Sequence, residues 1–313
     1  MQVYNGLNHL PPFQNTVLTI GTYDGVHVGH QVIIQRVNEL AQKIGSQSVM
    51  LTFDPHPKFV LNTNHQDLKL ISTIDEKIEL LEKFGLDNLV ITPFSKDFAA
   101  MEAEDYVQKI LVEHFHPSII VIGYDHRFGK NRKGDIELLK KLGPKYHYEV
   151  EEISVQTIDE ISVSSTKVRN ALLEGNIADA NTWLAHPFIL EGKVIYGDQI
   201  GRTIGFPTAN IQINNDKKLI PPPGVYAVWT EVKGKRYQGA LSISHRPTIL
   251  DNGELRIEVY IIDFDQDIYG EEVRLIFVDW IRKDLKFENL PQLVEQINMD
   301  VQLVKNVLNT NLS

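Results

Sequence analysis

Residues 21–30, Gly21-Thr22-Tyr23-Asp24-Gly25-Val26-His27-Val28-Gly29-His30, separate an apolar run at residues 17–20 from a helical apolar pattern at residues 32–44. This order predicts a strand, a glycine-rich turn and a helix. Glycine lets the backbone approach a ligand closely, and the unpaired N–H groups at a helix start favour phosphate. The segment therefore predicts a phosphate-binding site between the strand and the helix.

Two histidines, His27 and His30, lie three positions apart at the start of this helix. Imidazoles placed there can donate hydrogen bonds to phosphate oxygens as charge develops, and one such donor contributes roughly 10²–10³ in rate. The alternative is that both histidines merely cap the helix, but the glycines at positions 21, 25 and 29 favour the phosphate site. The patterns G-x-G-x-x-G and G-x-x-x-x-G-K-[ST] are absent, so phosphate is bound in another way.

The rest of the first half alternates apolar runs with helical patterns. Strands are predicted at residues 49–53, 89–92 and 119–122, and helices at residues 74–84 and 103–115. Ser72 or Thr73 is a candidate N-cap for the first of these helices. Such alternation predicts a parallel sheet covered on both faces, with ligands beyond the carboxyl ends of the strands.

The pattern changes near residues 181–188, and strands separated by turns dominate beyond that point. The predicted strands are residues 194–196, 224–231, 237–243, 255–262 and 272–277, with turns at Lys233-Gly234-Lys235 and Asp251-Asn252-Gly253. Closely spaced strands of this kind predict a small antiparallel barrel, followed by a helix at residues 290–308. We expect two domains, residues 1–184 and residues 185–313.

The composition limits the classes of function. The 313 residues suffice for two ordinary domains, and the formal charge of −10 predicts no broad basic face, so nucleic acid is not expected as a partner. The absence of cysteine excludes disulfides and thiol nucleophiles. Residues 1–13 contain no Lys or Arg, and no apolar run reaches membrane-spanning length. We therefore expect a cytoplasmic protein without a secretory signal or a membrane partner.

The second half has its own motif, Gly201-Arg202-Thr203-Ile204-Gly205-Phe206-Pro207-Thr208-Ala209-Asn210. Residues two apart in an extended segment face the same side, so Thr208 and Asn210 present a hydroxyl and a carboxamide together. Both are hard oxygen ligands of the kind that suits Mg²⁺, which takes few protein ligands in addition to substrate phosphates. The alternative for the bare pair is an ordinary strand end.

The first half resembles the prokaryotic FAD synthetases of the nucleotidyltransferase superfamily. His27-Val28-Gly29-His30 is similar to the superfamily's H-x-G-H signature. The segments similar to the family's F-x-P-H-P, G-x-[ND]-F-x-F-G and S-S-T-x-I-R motifs are Phe53-Asp54-Pro55-His56-Pro57, Gly123-Tyr124-Asp125-His126-Arg127-Phe128-Gly129 and Ser164-Ser165-Thr166-Lys167-Val168-Arg169. His126 stands where the family usually has Phe.

This resemblance implies roles for residues of the first half. His27 and His30 would stabilise the triphosphate of ATP during attack on the α-phosphorus. The other residues implied to hold ATP or its phosphates are Gly21, Asp24, Gly25, Ser164, Ser165, Thr166 and Arg169. His56 and Asp125 would lie on the flavin side. The alternatives are a plain helix cap for residues 164–166, a structural turn for His56 and an exposed loop carboxylate for Asp125.

Residues 201–210 resemble the G-R-x-x-G-F-P-T-A-N motif of riboflavin kinases, and residues 192–197 and 223–227 resemble that family's flanking segments. The resemblance implies that Thr208 and Asn210 hold Mg²⁺, that Gly201 and Arg202 contact ATP, and that Glu258 is the base for the ribityl hydroxyl. Alternation with apolar neighbours places Glu258 on the opposite face of its strand, where a solvent-facing glutamate is the alternative.

Residues 282–287 are similar to the family's flavin-side segment R-x-E-x-K-F, which implies flavin contacts for Arg282 and Asp284. Asp284 replaces the usual Glu, and Tyr260 replaces a common His. Ser242 and Ser244 stand where the family often has Asn and Gly. These departures leave the implied metal and base residues in place.

The sequence thus predicts the fold class α/β plus β: an N-terminal Rossmann-like nucleotidyltransferase domain with a parallel sheet, and a small antiparallel β-barrel with a C-terminal helix. The resemblance implies a transferase that phosphorylates riboflavin to FMN and adenylylates FMN to FAD with release of pyrophosphate. Its expected ligands are riboflavin, FMN, FAD, ATP and Mg²⁺, and we expect a monomer or a weak homo-oligomer. The alternatives are a single-activity riboflavin kinase, another nucleotidyltransferase, or a non-catalytic flavin-binding regulator.

Overall fold

The computed structural model describes residues 1–61, 68–153, 163–197, 200–245 and 255–310. The chain divides into two compact units, Met1–Ser165 and Thr166–Ser313. The turn predicted at Asp251-Asn252-Gly253 lies outside the described residues.

The first unit is built on a six-stranded parallel sheet. Its strands are β1 (Gln2–Asn5), β2 (Thr16–Ile20), β3 (Ser48–Phe53), β4 (Asn88–Thr92), β5 (Pro117–Gly123) and β6 (Glu149–Ile153), in the order β1-β4-β3-β2-β5-β6. Every adjacent pair is parallel. The predicted α/β architecture is confirmed.

Helices cover this sheet. They are α1 (Val28–Ile44), α2 (Pro57–Leu61), α3 (Ile74–Lys83), α4 (Lys96–Ala99), α5 (Ala103–Asp105), α6 (Glu113–Phe115) and α7 (Ile136–Tyr146). A π-helical segment, Tyr106–Val112, joins α5 to α6, so the helix predicted at residues 103–115 is present with a wider central turn. Thr73 caps α3 through a complete capping box with Glu76, which confirms one of the two predicted caps.

Both faces of the sheet are buried, as a parallel sheet requires. Leu18, Val49 and Ile120 pack on one face against the helical segment around Phe115. Val17, Met50 and Val121 pack on the other face against α1 and α3. Successive strand residues point to opposite faces, so every residue of β2 is buried. This packing fixes the carboxyl end of β2, from which the glycine turn leaves.

The second unit is a closed antiparallel barrel. Its strands are β7 (Ile189–Ile195), β8 (Thr208–Ile213), β9 (Gly224–Val232), β10 (Lys235–His245), β11 (Leu255–Ile261) and β12 (Glu272–Lys283), in the closed order β10-β11-β8-β7-β12-β9. Its helices are α8 (Ser165–Leu173), which begins at the division between the units, α9 (Ile177–Leu184), α10 (Ile200–Thr203) and α11 (Leu290–Thr310). The predicted barrel with a C-terminal helix is confirmed.

Two local features shape this barrel. The β9–β10 hairpin turns at Lys233 and Gly234, which both have positive φ, as a tight hairpin with right-handed strand twist requires. Helix α11 packs Val301, Val304 and Leu308 against the outer face of the barrel, beside Tyr260. The outer face is therefore partly a second core.

Helices α8 and α9 associate with the barrel in the second unit. The Asn181 side chain donates to the Phe277 carbonyl at 2.9 Å and accepts from the Phe188 N–H at 2.7 Å. The compact units meet at Ser165 and Thr166, whereas the sequence predicted a domain boundary after residue 184. The predicted boundary after residue 184 separates the residues assigned to the two activities, and it stays a prediction.

Candidate active sites

The glycine turn between β2 and α1 is tied to the segment before α3. The Asp24 carboxylate is 1% exposed, and its Oδ1 accepts the N–H groups of Ile71 and Ser72 at 3.0 and 3.1 Å. The Gly25 N–H donates to the Ser72 hydroxyl at 2.9 Å. Gly25 has φ +82°, and a Cβ there would lie 2.8 Å from a side-chain carbon of Ile71, so no larger residue fits this contact without movement. Asp24 thus fixes the turn from within the protein.

Val26 holds an unusual backbone conformation in the middle of this turn. Its φ is +43°, although β-branched residues rarely adopt the left-handed region. The Val26 side chain is fully buried, and its N–H donates to the Tyr23 carbonyl at 3.2 Å. Backbone strain of this kind persists only where the surroundings enforce it, and it concentrates at functional sites.

His27 and His30 form a stacked pair at the start of α1. Their ring centroids are 3.7 Å apart with an interplanar angle of 20°. In the part of the chain that the structure describes, neither Nδ1 atom has a hydrogen-bond partner. A Cβ at Gly29 would approach the His27 ring to 3.2 Å, so a side chain at position 29 would press on that ring. The arrangement leaves two imidazoles available for a ligand.

Burial sets the charge of both rings. It lowers the pKa of His27 to about 4, against an opposing contribution from Asp24. The pKa of His30 is lowered well below its ordinary value by burial first, then by His27 and Lys77. Both imidazoles are therefore neutral at pH 7, and each offers one N–H donor and one acceptor. They can support an anion without carrying a charge of their own.

Of the residues predicted to hold the triphosphate, Ser165 is placed against the turn. Its hydroxyl donates to the Asp24 carbonyl at 3.1 Å, and both residues belong to the first unit. Ser164 is exposed just before α8. Thr166 and Arg169 belong to the second unit, so their approach to the histidines stays a prediction.

The predicted flavin-side residues of the first unit follow other strands of the same sheet. His56 lies beyond β3, where its Nδ1 accepts the Lys58 N–H at 3.2 Å, and Asp125 is exposed just beyond β5. The carboxyl ends of parallel strands share one edge of the sheet, so both residues lie at the edge that carries the glycine turn. Their contacts with a flavin stay a prediction.

His126, the departure from the family pattern, packs as an aromatic residue. Its ring stacks on Phe128 with centroids 5.9 Å apart, and burial lowers its pKa to about 4. A neutral imidazole thus fills the place of the usual phenyl ring. Its Nε2 is buried and has no partner among the described residues, so this ring brings one polar atom that a phenylalanine would lack.

In the barrel, register brings the predicted metal and base residues together. Asn210 on β8 is directly opposite Glu258 on β11, and Thr208 is opposite Tyr260. Opposite residues of an antiparallel pair lie on the same face, so a hydroxyl, a carboxamide and a carboxylate occupy one patch. The buried neighbours of Glu258, Ile257 and Val259, face the barrel interior, as the alternation predicted.

Two glycines press against this patch. A Cβ at Gly197 would lie 2.3 Å from the amide nitrogen of Asn210, and a Cβ at Gly201 would lie 3.3 Å from the Thr208 hydroxyl. The backbone therefore approaches both side chains as closely as glycine allows. Arg256 lies 3.7 Å from the Glu258 carboxylate, and each of these two side chains is 24% exposed. The patch is a half-buried polar site on the outer surface of the barrel.

Arg282, predicted to face the flavin, is already anchored. Its guanidinium donates to both carboxylate oxygens of Asp300 at 2.7–3.1 Å, and Asp300 is 5% exposed. A fork-to-fork pair of this kind is among the stronger polar contacts in proteins. Asp284 lies just beyond β12 and is exposed.

Comparison with known proteins accounts for both units. The FAD synthetase family model matches residues 11–167, and the riboflavin kinase family model matches residues 184–308. A Listeria monocytogenes bifunctional riboflavin kinase/FMN adenylyltransferase is 39% identical, over 92% of this chain and 91% of that protein. The Escherichia coli K12 protein of the same name is 36% identical, over 96% of each chain.

The chain belongs to the bifunctional riboflavin kinase/FMN adenylyltransferase family. Membership confirms the predicted family and its pair of transferase activities. The FAD synthetase match falls on the first unit and the riboflavin kinase match on the barrel, and we refer to them as the adenylyltransferase unit and the kinase unit.

A solved structure shares the whole fold. A crystal structure of a Streptococcus pneumoniae protein, described as a macrolide-efflux protein, matches with a TM-score of 0.87 and 32% identity, over 98% of this chain and 99% of that one. The efflux description concerns that protein. Among the helices described for this chain, none combines the length and apolar character needed to cross a bilayer.

The buried charged residues that sequence reasoning missed include Lys77 of the adenylyltransferase unit and Asp300 of the kinase unit. Lys77 occupies the apolar stripe of α3. Asp300 occupies the apolar stripe of α11, between Ile297 and Val304. A charged residue on the buried face of an amphipathic helix is the signal that could have found both, because such a charge needs a partner inside the protein.

Proposed function

We propose that His27 and His30 are the transition-state donors for FMN adenylylation. An FMN phosphate oxygen attacks the α-phosphorus of ATP, the new P–O bond forms FAD, and the bond to the leaving pyrophosphate breaks. The neutral imidazoles donate hydrogen bonds as negative charge grows on the phosphate oxygens, which is the largest kind of contribution in such sites. The stacked, buried pair at the start of α1 is the observation that carries this proposal.

The remaining predicted residues complete this site in the proposal. Gly21, Gly25 and the start of α1 present backbone N–H groups to the phosphates. Ser164, Ser165, Thr166 and Arg169 hold the β- and γ-phosphates, and Arg169 can bind two oxygens at once. Asp24 shapes the turn. His56 and Asp125, at the shared edge of the sheet, face the flavin.

In the kinase unit, Glu258 is proposed as the base for the riboflavin 5′-hydroxyl. That oxygen attacks the γ-phosphorus of a second ATP, its proton passes to the Glu258 carboxylate, and ADP leaves. Proton transfer by a positioned side chain contributes about 10²–10⁴ in rate. Gly201 and Arg202 contact the nucleotide, while Arg282 and Asp284 lie on the flavin side.

The patch also fits Mg²⁺. Thr208 and Asn210 offer hard oxygen ligands, and Asn210 is directly opposite Glu258, so the donor set is small and oxygen-based. Within the described residues there is no cluster of three or more His, Asp or Glu that would form an all-protein metal cage. Bound Mg²⁺ would supply neutralisation of the ATP phosphates, while Thr208 and Asn210 orient them.

The wider setting follows from the same proposal. The adenylyltransferase activity needs residues 1–184 and the kinase activity residues 185–313. The ligands are riboflavin, FMN, FAD and ATP, without nucleic acid or membrane. The protein acts in the cytoplasm as a monomer or a weak homo-oligomer.

A flavin separation assay tests the proposal. Purified protein is incubated with riboflavin, ATP and Mg²⁺, and the flavins are resolved; FMN and FAD should both appear. A parallel incubation with FMN in place of riboflavin isolates the second reaction. FMN without FAD would indicate a single-activity kinase, and riboflavin binding without either product would indicate a non-catalytic regulator.

A further inference from the structure

Lys77 is a buried lysine that faces the glycine turn. It lies on α3 between Ile74 and Leu81, on the face that packs toward the sheet, and its side chain is 6% exposed. Among the residues that the structure describes, its ammonium donates one hydrogen bond, to the Thr22 carbonyl at 2.7 Å. Thr22 belongs to the turn that carries the proposed phosphate site. The Lys77 ammonium therefore holds the backbone of this turn.

The surroundings of Lys77 are charged as well as polar. Asp24 of the turn and Asp54 beyond β3 both favour its protonated form, while burial acts against it and lowers the pKa of Lys77. On α1, the positive charge of Lys77 contributes to the lowered pKa of His30. The other titratable groups against His30 are His27 and Tyr23, and burial keeps Tyr23 neutral by raising its pKa. Lys77 thus contacts the backbone of the turn and also contributes to the lowered pKa of His30.

The hydrogen bond to Thr22 constrains the turn. A peptide group is planar and trans, so fixing the Thr22 carbonyl also fixes the direction of the N–H that follows it. Asp24 and Gly25 are fixed by hydrogen bonds to Ile71 and Ser72, which come directly before the N-cap of α3. Lys77 adds the third point of attachment at the beginning of the turn. All three attachments come from the same segment, residues 71–77.

We propose that Lys77 is a positioning residue of the adenylyltransferase, which holds the Gly21–Gly25 turn through the Thr22 carbonyl. The inference rests on the proposed roles of His27 and His30. It assigns to α3 a part in the reaction that acts through the backbone of the turn.

Lys77→Met and Lys77→Gln test the proposal, with Lys83→Met as the matched control because Lys83 is an exposed lysine on the same helix. Lys77→Met should lower kcat for FMN adenylylation roughly 10- to 100-fold, the range for loss of one hydrogen bond to a charged group. The KM for ATP should rise less than kcat falls, because the histidine donors act in the transition state. Lys77→Gln keeps a donor for Thr22 without the charge, so its kcat should lie between Met and wild type. Riboflavin kinase activity, measured on the same preparations, should be unchanged.

The pH profile separates this role from simple loss of packing. Removing the positive charge of Lys77 should raise the pKa of His30. On the acid side of the pH profile, both Lys77 variants should therefore lose adenylylation at a higher pH than the wild-type protein does. Wild-type kcat with an unshifted acid limb in Lys77→Gln would overturn the proposal, whether or not Lys77→Met folds. His27→Ala is assayed in parallel: if it retains FAD formation, the site assignment itself fails, whereas its inactivity beside unaffected Lys77 variants rejects only the role of Lys77.

Discussion

The glycine turn at the start of α1 and the polar patch on the barrel, the two proposed phosphate sites, lie in opposite settings. His27 is 6% exposed and neutral, inside a turn fixed by buried hydrogen bonds. Glu258 is 24% exposed and lies beside Arg256, on an outer face where strand register aligns it with Asn210. In the proposed reactions, the first site supports charge with neutral dipoles in a low dielectric, and the second uses charged and oxygen-bearing side chains near water.

The difference teaches how each site is kept in shape. In the turn, close packing and strained backbone hold the groups, so the site depends on the stability of its whole unit. In the barrel, the pairing of β8 with β11 sets the spacing between Asn210 and Glu258. The close approach of the backbone at Gly197 and Gly201 restricts the Asn210 and Thr208 side chains. Substitutions should therefore act on catalysis alone in the patch, and on catalysis together with stability in the turn.

The largest expected effect separates the two activities at the patch. Glu258→Gln should lower riboflavin kinase kcat by about 10²- to 10⁴-fold, because it removes the proposed base while keeping the shape of the side chain. FAD formation from supplied FMN should be unchanged. Both rates are measured by flavin separation.

The control for that variant is Glu231→Gln, another half-buried strand glutamate, which pairs with Arg236 on the neighbouring strand. It should leave both rates at wild-type values. Equal loss of kinase activity in the two variants would show that strand charge, and not a base at position 258, is what matters.

The reciprocal variant acts on the turn. His27→Ala should lower FMN adenylylation by about 10²- to 10³-fold, as expected for loss of one transition-state donor. Its kinase activity should be retained, because the proposed kinase residues Thr208, Asn210 and Glu258 all lie in the second unit. Equal loss of both reactions would contradict independent sites.

The buried histidines also make the stability of the first unit depend on pH. His27 has a pKa of about 4 when folded and an ordinary value of 6.5 when unfolded, so between these values the unfolded chain binds more protons. The free energy of unfolding should therefore fall as the pH drops from about 6.5 towards 4, by up to roughly 1.4 kcal/mol per pH unit for His27 alone. His30 shifts in the same direction.

Tryptophan placement allows the two units to be followed separately. All three tryptophans, Trp183, Trp229 and Trp280, lie in the second unit. In urea titrations, tryptophan fluorescence reports the barrel, whereas far-UV circular dichroism reports both units. The acid-sensitive transition should appear in circular dichroism alone, and equal shifts in both signals would argue against an effect of the first unit's buried histidines, which include His126.

The smallest expected effect concerns the cap of α3. Thr73→Ala removes the capping box with Glu76 and should destabilise the first unit by about 1 kcal/mol. The circular dichroism transition should move to lower urea while the tryptophan transition stays in place. Because the cap precedes Lys77 by one turn, FAD formation should fall slightly more than FMN formation.

The sequence predicted the central elements of both units because their patterns are strong. The continuous apolar run of β2 and the turn at Lys233-Gly234 follow directly from burial and backbone geometry. The edge strands β1 and β6 were missed. Both carry polar residues at half-exposed positions, as an edge allows, so neither shows a clear period.

The motifs pointed to residues that the fold brings together, whereas buried charged residues outside the motifs were overlooked; the catalytic roles stay predictions. His27, His30, Thr208, Asn210 and Glu258 are brought together as two groups, in the turn and on the barrel. Lys77 and Asp300 each carry a local signal, a charge on the apolar stripe of a helix, but their partners, Thr22 and Arg282, meet them only in the folded unit. Local patterns cannot supply such long-range pairs.

The bond from the Ser165 hydroxyl to the Asp24 carbonyl joins residues 141 positions apart in the chain. A ribosome adding about 5–20 residues per second makes Asp24 roughly 7 to 28 seconds before Ser165. During that interval the nascent turn lacks this hydrogen bond. The contact can thus form only after about half of the chain, including every strand of the first unit's sheet, has been synthesised.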